Sequence, residues 1–565
     1  MPVRDEYFSL LKEWLDALLP YILNDPAHKT LDGAIICPAC SVIHGRCADA
    51  IYPFMCMADL TGEEKYLTAA KKLFDWSEYM LCDDGSMYND SQAAWNGITV
   101  FASMSLYNAL SRHGHLLSAA EKTRWEARLR TMAEWLRTGI TAEGSAVINY
   151  KSTNSAAMAC IGHYFNDARM LDSARKLAHH ALGRLSPNRF LCGEGNMPPT
   201  QRGATAIDVG YNIEESLPSL YRYAEETGDA EALEQVKAAV DAHLQLMLPD
   251  GAWDNSFGTR NFKWTYWGSR TSDGCQGMLN GLGKSNPVYA EAAYRNLQLY
   301  RRCTEGLLYG GPDYKAHGEL PCVHHTFCHA KVLAEALDEG VAEFERCELP
   351  SDRFSGIKYY PEALTYRLGQ GDWRMTVTAS DIEYMPGGHV SGGCISLLWN
   401  KAAGPVLATA NTDYSMQEAH NQQLTRRKAL QGCLCPRLER NEGRVYSQMY
   451  DYAARLTQEG ENVLIAEGVL EDYDHKTAAG AQDSYRVTYS LTDKGLTIAA
   501  QVAPESGICL ILPVIRTAFE GGKITVSSRG GLERRRELFN LAPGLEAVEL
   551  IVKPDARGEI WVEIA

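Results

Sequence analysis

Apolar residues recur every three or four positions from residue 5 to about 340, and every second position through much of the rest. The first period lays one face of a helix against a core, and the second sends alternate side chains to opposite faces of a strand. The first region reads as roughly a dozen helical segments, including 45–60, 64–82, 92–111, 118–138, 152–167, 170–184, 211–226, 229–248, 287–303 and 322–338. An amphipathic stretch from Tyr7 to Leu19, stopped by Pro20, precedes them. Ser118 and Glu121 have the spacing of a capping box, as do Thr61 and Glu64. A weak repeat supports a regular array: Ala58–Leu67 resembles Ala224–Leu233, and in each a helix ends, turns at Thr-Gly, and a new helix begins. Paired helices that cannot bury their own faces stack on neighbours, and about six such pairs closing a ring give an (α/α) toroid.

Beyond about residue 345 short alternating runs take over: Trp373–Thr378, Cys394–Trp399, Tyr485–Ser490, Leu496–Gln501 and Ile560–Ile564. Gly, Asn and Asp separate them, as in Thr492–Gly495. That grammar predicts an antiparallel β-sandwich. The expected division is a toroidal catalytic domain over 1–345 and a β-sandwich over 346–565, with the junction in the acidic and Pro-Ser-Asp stretch 341–355. A chain of 565 residues exceeds what one core supports.

The net charge of −16 argues against a nucleic-acid partner, which calls for clustered Lys and Arg. An anionic glycan needs only a locally basic cleft. The apolar runs are too short to span a bilayer, so no membrane partner is expected. Residues 1–6 lack the basic start, apolar core and cleavage site of a secretory leader, which points to the cytoplasm, or to a periplasmic or secreted location if a leader has been removed. The 16 cysteines are scattered, and buried, reduced thiols are the expectation. Cys37-Pro-Ala-Cys40, with His44 and Cys47, is the tightest cluster, but no second CxxC half follows at finger spacing, so ordinary buried thiols rather than a zinc site are the expectation there.

Three segments offer chemistry, each with a plainer reading. Asn154 stands at the start of a small, apolar helical run, where it either caps the helix or presents an amide to a substrate carboxylate. Tyr211 follows Gly210 within Asp208–Ser216, where it either packs under the rim of the toroid or aims its phenol into the cleft. His389 lies between glycine pairs in Pro386–Gly393, just before the strand at Cys394; a loop histidine is usually structural, but those glycines permit close approach of the backbone to a ligand.

Taken in order, Asn154, Tyr211 and a histidine leading into the first β-sheet resemble the heparinase II/III-like polysaccharide lyases, as does Gly388–Trp399 continuing to Gly404–Ala408. The resemblance implies a toroid followed by a β-sandwich, β-elimination on a uronate glycan of glycosaminoglycan type, and a site of Asn154 as neutraliser with Tyr211 and His389 as acid–base groups. It also implies Tyr and His on opposite faces of the sugar. The chemistry itself requires no cofactor. In some relatives a second histidine, two residues after the first, helps build a β-domain metal site; here Ser391 stands there, so a structural divalent metal in the β-domain is left to ligands such as Asp413 and His420.

The residue types suit that chemistry. An amide that hydrogen-bonds the uronate carboxylate favours the enolate-like charge developing at C5. A free tyrosine, with a pKa of about 10, needs nearby positive charge to act as a base, whereas histidine at about 6.5 does not. Further cleft candidates are Asn89, Gln92 and Trp95, then Gln201 and Arg202, then Trp264, Trp267 and Arg270, because aromatic faces stack on sugars and Arg holds carboxylate or sulfate. His324, His325 and His329 form a histidine-rich helix start that either packs or contacts the cleft. Two other classes remain. A toroidal glycoside hydrolase would pair two carboxylates from Asp208, Glu214, Glu215, Asp254 and Asp273. A non-catalytic protein would bind an anionic oligo- or polysaccharide and leave it intact.

Overall fold

The structure, a computed structural model, describes residues 2–89, 95–409, 412, 423, 430–478 and 483–565. Gln92, Asp413 and His420 lie outside the described residues. Among those described, 12 helices of eight or more residues alternate between an outer and an inner ring. The inner six are Ile51–Thr61, Thr99–His113, Ile148–Phe165, Leu217–Thr227, Gln276–Gly283 and Val323–Glu339, each packed on the next and the last on the first. The outer six are Val3–Leu18, Glu64–Trp76, Ala119–Gly139, Ala168–Leu182, Ala230–Leu244 and Pro287–Arg302. The N-terminal helix packs on Val323–Glu339 and so completes the sixth pair. The expected (α/α) toroid is present.

Burial explains the alternation. The outer helix Ala168–Leu182 buries Met170, Ala174, Leu177, Ala178, Ala181 and Leu182, a single stripe. The inner helix Ile148–Phe165 is buried nearly all round, which small residues such as Ala156, Ala157 and Ala159 allow. The Thr-Gly repeat does mark the turns from inner to outer helix, since Gly62 and Gly228 adopt φ of 71° and 69° after Thr61 and Thr227. Ser118 and Glu121 form the predicted capping box. Thr61 does not: its hydroxyl donates to the Met57 carbonyl, so it closes one helix and caps no other. The helix Gln276–Gly283 escaped prediction because its three glycines mask the period. Gly281 is needed there, since a Cβ would sit 2.2 Å from the Tyr221 hydroxyl.

After Glu339 no further long helix is found among the described residues, and antiparallel strands begin at Gly356. The β-sandwich contains three sheets of five, six and five strands. The first is a meander through Gly356–Tyr360, Thr365–Gln370, Trp373–Thr378, Cys394–Asn400 and Gly404–Ala408. Trp373–Thr378 is buried at every residue, whereas Ser484–Thr492 alternates. The difference reflects position: Thr376 Oγ1 donates to Asp254 of the helical domain at 2.5 Å, so the toroid covers one face of Trp373–Thr378, while Val487 and Leu491 face only the sandwich interior.

Candidate active site

Tyr211 owes its place to a break in helical hydrogen bonding. Pro218 has no N–H to offer the carbonyl of Glu214, and residues Asn212–Ser216 widen into a π turn. The Glu214 carbonyl instead accepts from Gly274 N–H at 2.9 Å. The buried Asp208 carboxylate accepts from the N–H of Tyr211 at 3.0 Å and of Arg260 at 2.8 Å, and from Asn255 Nδ2. One carboxylate thus sets two segments that meet at the site.

The neighbouring glutamates diverge. Glu214 is buried and accepts from Ser269 N–H and Ser272 Oγ, both at 2.7 Å, so it fastens the turn that carries Lys263 and Thr271. Gly268 must be glycine beside it, because a Cβ would lie 1.9 Å from Glu214 Oε1. Glu215 instead lines a cavity of about 260 Å³. Its Oε1 accepts from Asn149 Nδ2 at 2.6 Å. Burial first, then the charge of Asp273, pushes its carboxyl up to about 8, against the opposing pull of Arg46.

Tyr211 lines the same cavity and is 4% exposed. Its Oη lies 2.6 Å from Thr271 Oγ1 and accepts from Lys263 Nζ at 3.1 Å. Burial pushes the phenol above its ordinary range, opposed chiefly by Arg260, so at rest it holds its proton. The Arg260 guanidinium sits 5.3 Å from the ring centre, pairs with Glu194 at 2.9 Å, and donates to Tyr384 Oη at 3.0 Å. Arg46, paired with Asp49 and Asp273, reaches the wall and donates to the Thr271 carbonyl at 2.8 Å. Asn89 lies at the rim, and Trp95, 45% exposed, donates to Tyr150 Oη at 2.9 Å and meets its ring edge-on. His324 also lines the wall, beside Phe327 and His44. Its Nε2 makes no hydrogen bond among the described residues.

Of the predicted site, the structure brings Tyr211, Asn89 and Trp95 to one cavity, with His324. It does not bring Asn154 or His389 there. Asn154 lies inside a helix that starts at Ile148, not at its N-cap, and its Nδ2 donates to the carbonyls of Leu136 and Ile140 at 3.1 and 2.9 Å. It ties off the end of the preceding outer helix. His389 is buried against the ring of Tyr452, and its Nε2 lies 3.2 Å from the Ser380 carbonyl. The β-domain reaches the cavity through Tyr384 instead. Trp264, Trp267 and Arg270 are core residues: the indoles donate to the carbonyls of Trp253 and Tyr309, and Arg270 donates to that of Leu541. Gln201 is exposed, and Arg202 bridges the domains by donating to the carbonyls of Ala379, Tyr452 and Ala454.

Both halves of the chain match known families: the ulvan lyase N-terminal domain over residues 11–351 and the ulvan lyase C-terminal domain over 357–533. A broad-specificity ulvan lyase of Formosa agariphila is 34% identical over 96% of this chain and 90% of that protein. The chain belongs to the ulvan lyase family. Its fold is shared with the chondroitin AC lyase of Streptomyces coelicolor (12% identity, TM-score 0.55, 99% of this chain and 79% of that one). A xanthan lyase of Paenibacillus is similar too (10% identity, TM-score 0.54, 99% and 57%). The protein is a polysaccharide-acting enzyme related to lyases of uronate-containing glycans.

Membership in the ulvan lyases replaces the narrower likeness to the heparinase II/III group. The metal expectation also changes. Among the described residues, clusters of metal-type ligands occur only in the helical domain, none in the β-domain. No described helix is long and apolar enough to cross a membrane. Lys263, Thr271, Arg260 and Tyr384 line the cavity and were not among the residues singled out from the sequence. The signal for the first two lay in the aromatic-dense segment, where the indoles pack inward and the flanking residues face the cavity.

Proposed function

We propose that this ulvan lyase family member cleaves a uronate-containing polysaccharide, with ulvan as the first candidate, by β-elimination at the cavity around Tyr211. The observation that carries the reading is the contact of Tyr211 Oη with Lys263 Nζ and Thr271 Oγ1 on the cavity wall. Lys263 and Arg260 supply positive charge for the uronate carboxylate, and Asn89 an amide. His324 takes the C5 proton as the C4–O bond breaks and a C4=C5 double bond forms. Tyr211, which keeps its proton at rest, delivers it to the departing oxygen, and the tyrosinate is reprotonated through solvent. Trp95 offers an exposed ring for a flanking sugar. A hydrolase would need two carboxylates at the bond, and Glu215 is the sole carboxyl among the described residues of the wall.

The test is a panel of ulvan, chondroitin, heparin, hyaluronan and alginate, followed by ultraviolet absorbance and mass spectrometry. Unsaturated uronate ends released from ulvan support the proposal. Saturated products 18 Da heavier, indicating hydrolysis, or binding without cleavage on every polymer, would overturn it (~18 Da is the mass of the added water).

A further inference from the structure

Residues from opposite ends of the helical domain converge beside the cavity. Cys37 and Cys40 lie on a tight turn: the Cys37 N–H donates to the Val42 carbonyl at 3.0 Å, and Ser41 N–H donates to the Cys37 carbonyl at 2.9 Å. Ser41 holds φ at 56°, a left-handed conformation that a non-glycine residue adopts at a cost. The turn brings His44 back toward the two thiols. Cys322, some 280 positions later, lies at the start of the last inner helix.

The distances among these four are informative. Cys322 Sγ is 3.5 Å from Cys37 Sγ, 3.9 Å from Cys40 Sγ and 3.9 Å from His44 Nε2. All four potential ligand atoms lie within 4.8 Å of one another. A disulfide requires about 2.05 Å between sulfurs, so these thiols are not bonded. A tetrahedral zinc with bonds of about 2.3 Å to sulfur sets its sulfurs about 3.8 Å apart, the spacing seen here. Two other ligand groups, Asp49 with Asp273 and Cys328, and Cys56 with His113 and Asp338, differ in kind. Lys331 already pairs with both aspartates of the first, and the imidazole of the second bridges two carboxylates.

We propose that Cys37, Cys40, His44 and Cys322 bind one zinc ion in a closed, structural Cys₃His site. Three thiols lose their protons on binding, so one Zn²⁺ displaces three H⁺ and the site carries a net charge of −1. Cys40 and His44 are half-buried, which leaves a path for the metal, while Cys37 and Cys322 are buried. The ion fastens a loop with little regular structure to the Val323–Glu339 helix. Arg46 follows two residues after His44, and His324 two after Cys322, and both line the cavity. The site therefore sets two walls of the cavity and takes no part in the chemistry.

The full chain, purified without added metal, should contain one equivalent of zinc by inductively coupled plasma mass spectrometry, retained through dialysis against EDTA. A mercurial thiol reagent should release that equivalent into a chromogenic chelator. Replacement by Co²⁺ should give the visible bands of a tetrahedral centre together with thiolate charge-transfer absorption. Cys322→Ser should lose the metal, while Cys47→Ser, whose thiol faces the Ile35 carbonyl, should retain it. If Cys322→Ser does not fold, the Co²⁺ spectrum of the unaltered chain decides. Protein with less than about a tenth of an equivalent that also gives no tetrahedral Co²⁺ spectrum overturns the proposal.

Discussion

Tyr211 and His389 began as equals: each is a polar aromatic beside glycine, one in each domain, and each is now buried. Their surroundings differ. Tyr211 meets Lys263, Thr271 and the Arg260 guanidinium at a cavity wall, whereas His389 meets a tyrosine ring and one backbone carbonyl. The glycines around His389 do serve close approach, but to the protein's own chain. A Cβ on Gly392 would lie 1.8 Å from the Gln448 carbonyl oxygen, and one on Gly393 would lie 2.5 Å from the Ala466 Cβ. Close packing of backbone on backbone and close packing on a ligand leave the same mark in a sequence. What separates the two residues is direct contact: a lysine ammonium donates to the Tyr211 oxygen, whereas the hydrogen bond of His389 goes to a backbone carbonyl.

Substitution should widen that contrast. Tyr211→Phe removes only the phenolic oxygen, and kcat should fall by about 10²–10⁴ with the fold intact and KM little changed. His389→Gln should leave kcat within about tenfold of the parent, and a greater loss in a folded variant would return His389 to the mechanism. Steady-state kinetics on the cleaved polymer, with circular dichroism of each variant, reads both. Lys263→Met should lower kcat/KM by about 10²–10³, because it removes the cation that contacts the Tyr211 oxygen and is proposed to meet the substrate carboxylate. Equal activity in that variant would detach the phenol from its charged setting.

The next test concerns pH. Glu215 is neutral below about 8 and ionises above it. It is flanked by Asn149, Arg46, Asp273 and Glu194, with Tyr211 close by on the wall. Ionisation adds negative charge to the wall proposed to receive an anionic sugar, so KM should rise as pH climbs past about 8. Glu215→Gln should flatten that rise; an unchanged profile would show that the limb belongs to another group. The smallest effects belong to residues away from the reacting bond. Trp95→Ala should raise KM by up to about tenfold, the worth of one stacking contact. Asn154→Ala should lower unfolding free energy by about 1–3 kcal/mol, because two helix-end carbonyls lose their donor, while kcat stays unchanged. Urea melts measure the latter, and a selective loss of kcat would contradict the structural role of Asn154.

Much of the architecture was legible because it repeats a local rule. The stripe of Ala168–Leu182 and the alternation of Ser484–Thr492 are both written in neighbouring residues, and Thr-Gly marks two of the turns between rings. The candidate site was legible in part. Asn89, Trp95 and Tyr211 stood out by type and context, and the geometry gathers them. Lys263 and Arg260 did not stand out: Lys263, between Phe262 and Trp264, reads as surface until the indole beside it is seen to turn inward, and Arg260 sits in an irregular polar stretch with no pattern to mark it.

Alone, then, the sequence determined the periods, the order of the two domains, and the locally acidic or basic character of each segment, since all of these depend on residues close together in the chain. Tertiary structure decided which polar groups face solvent, substrate or core. Glu214 and Glu215 are adjacent, yet a π turn gives the first to the protein's own amides and the second to the cavity. Cys37 and Cys322 are separated by most of the toroid, yet ring closure sets their sulfurs 3.5 Å apart. Side-chain chemistry is carried by the residue, but its partners are assigned by contacts distant in sequence, and those exist only once the ring has closed.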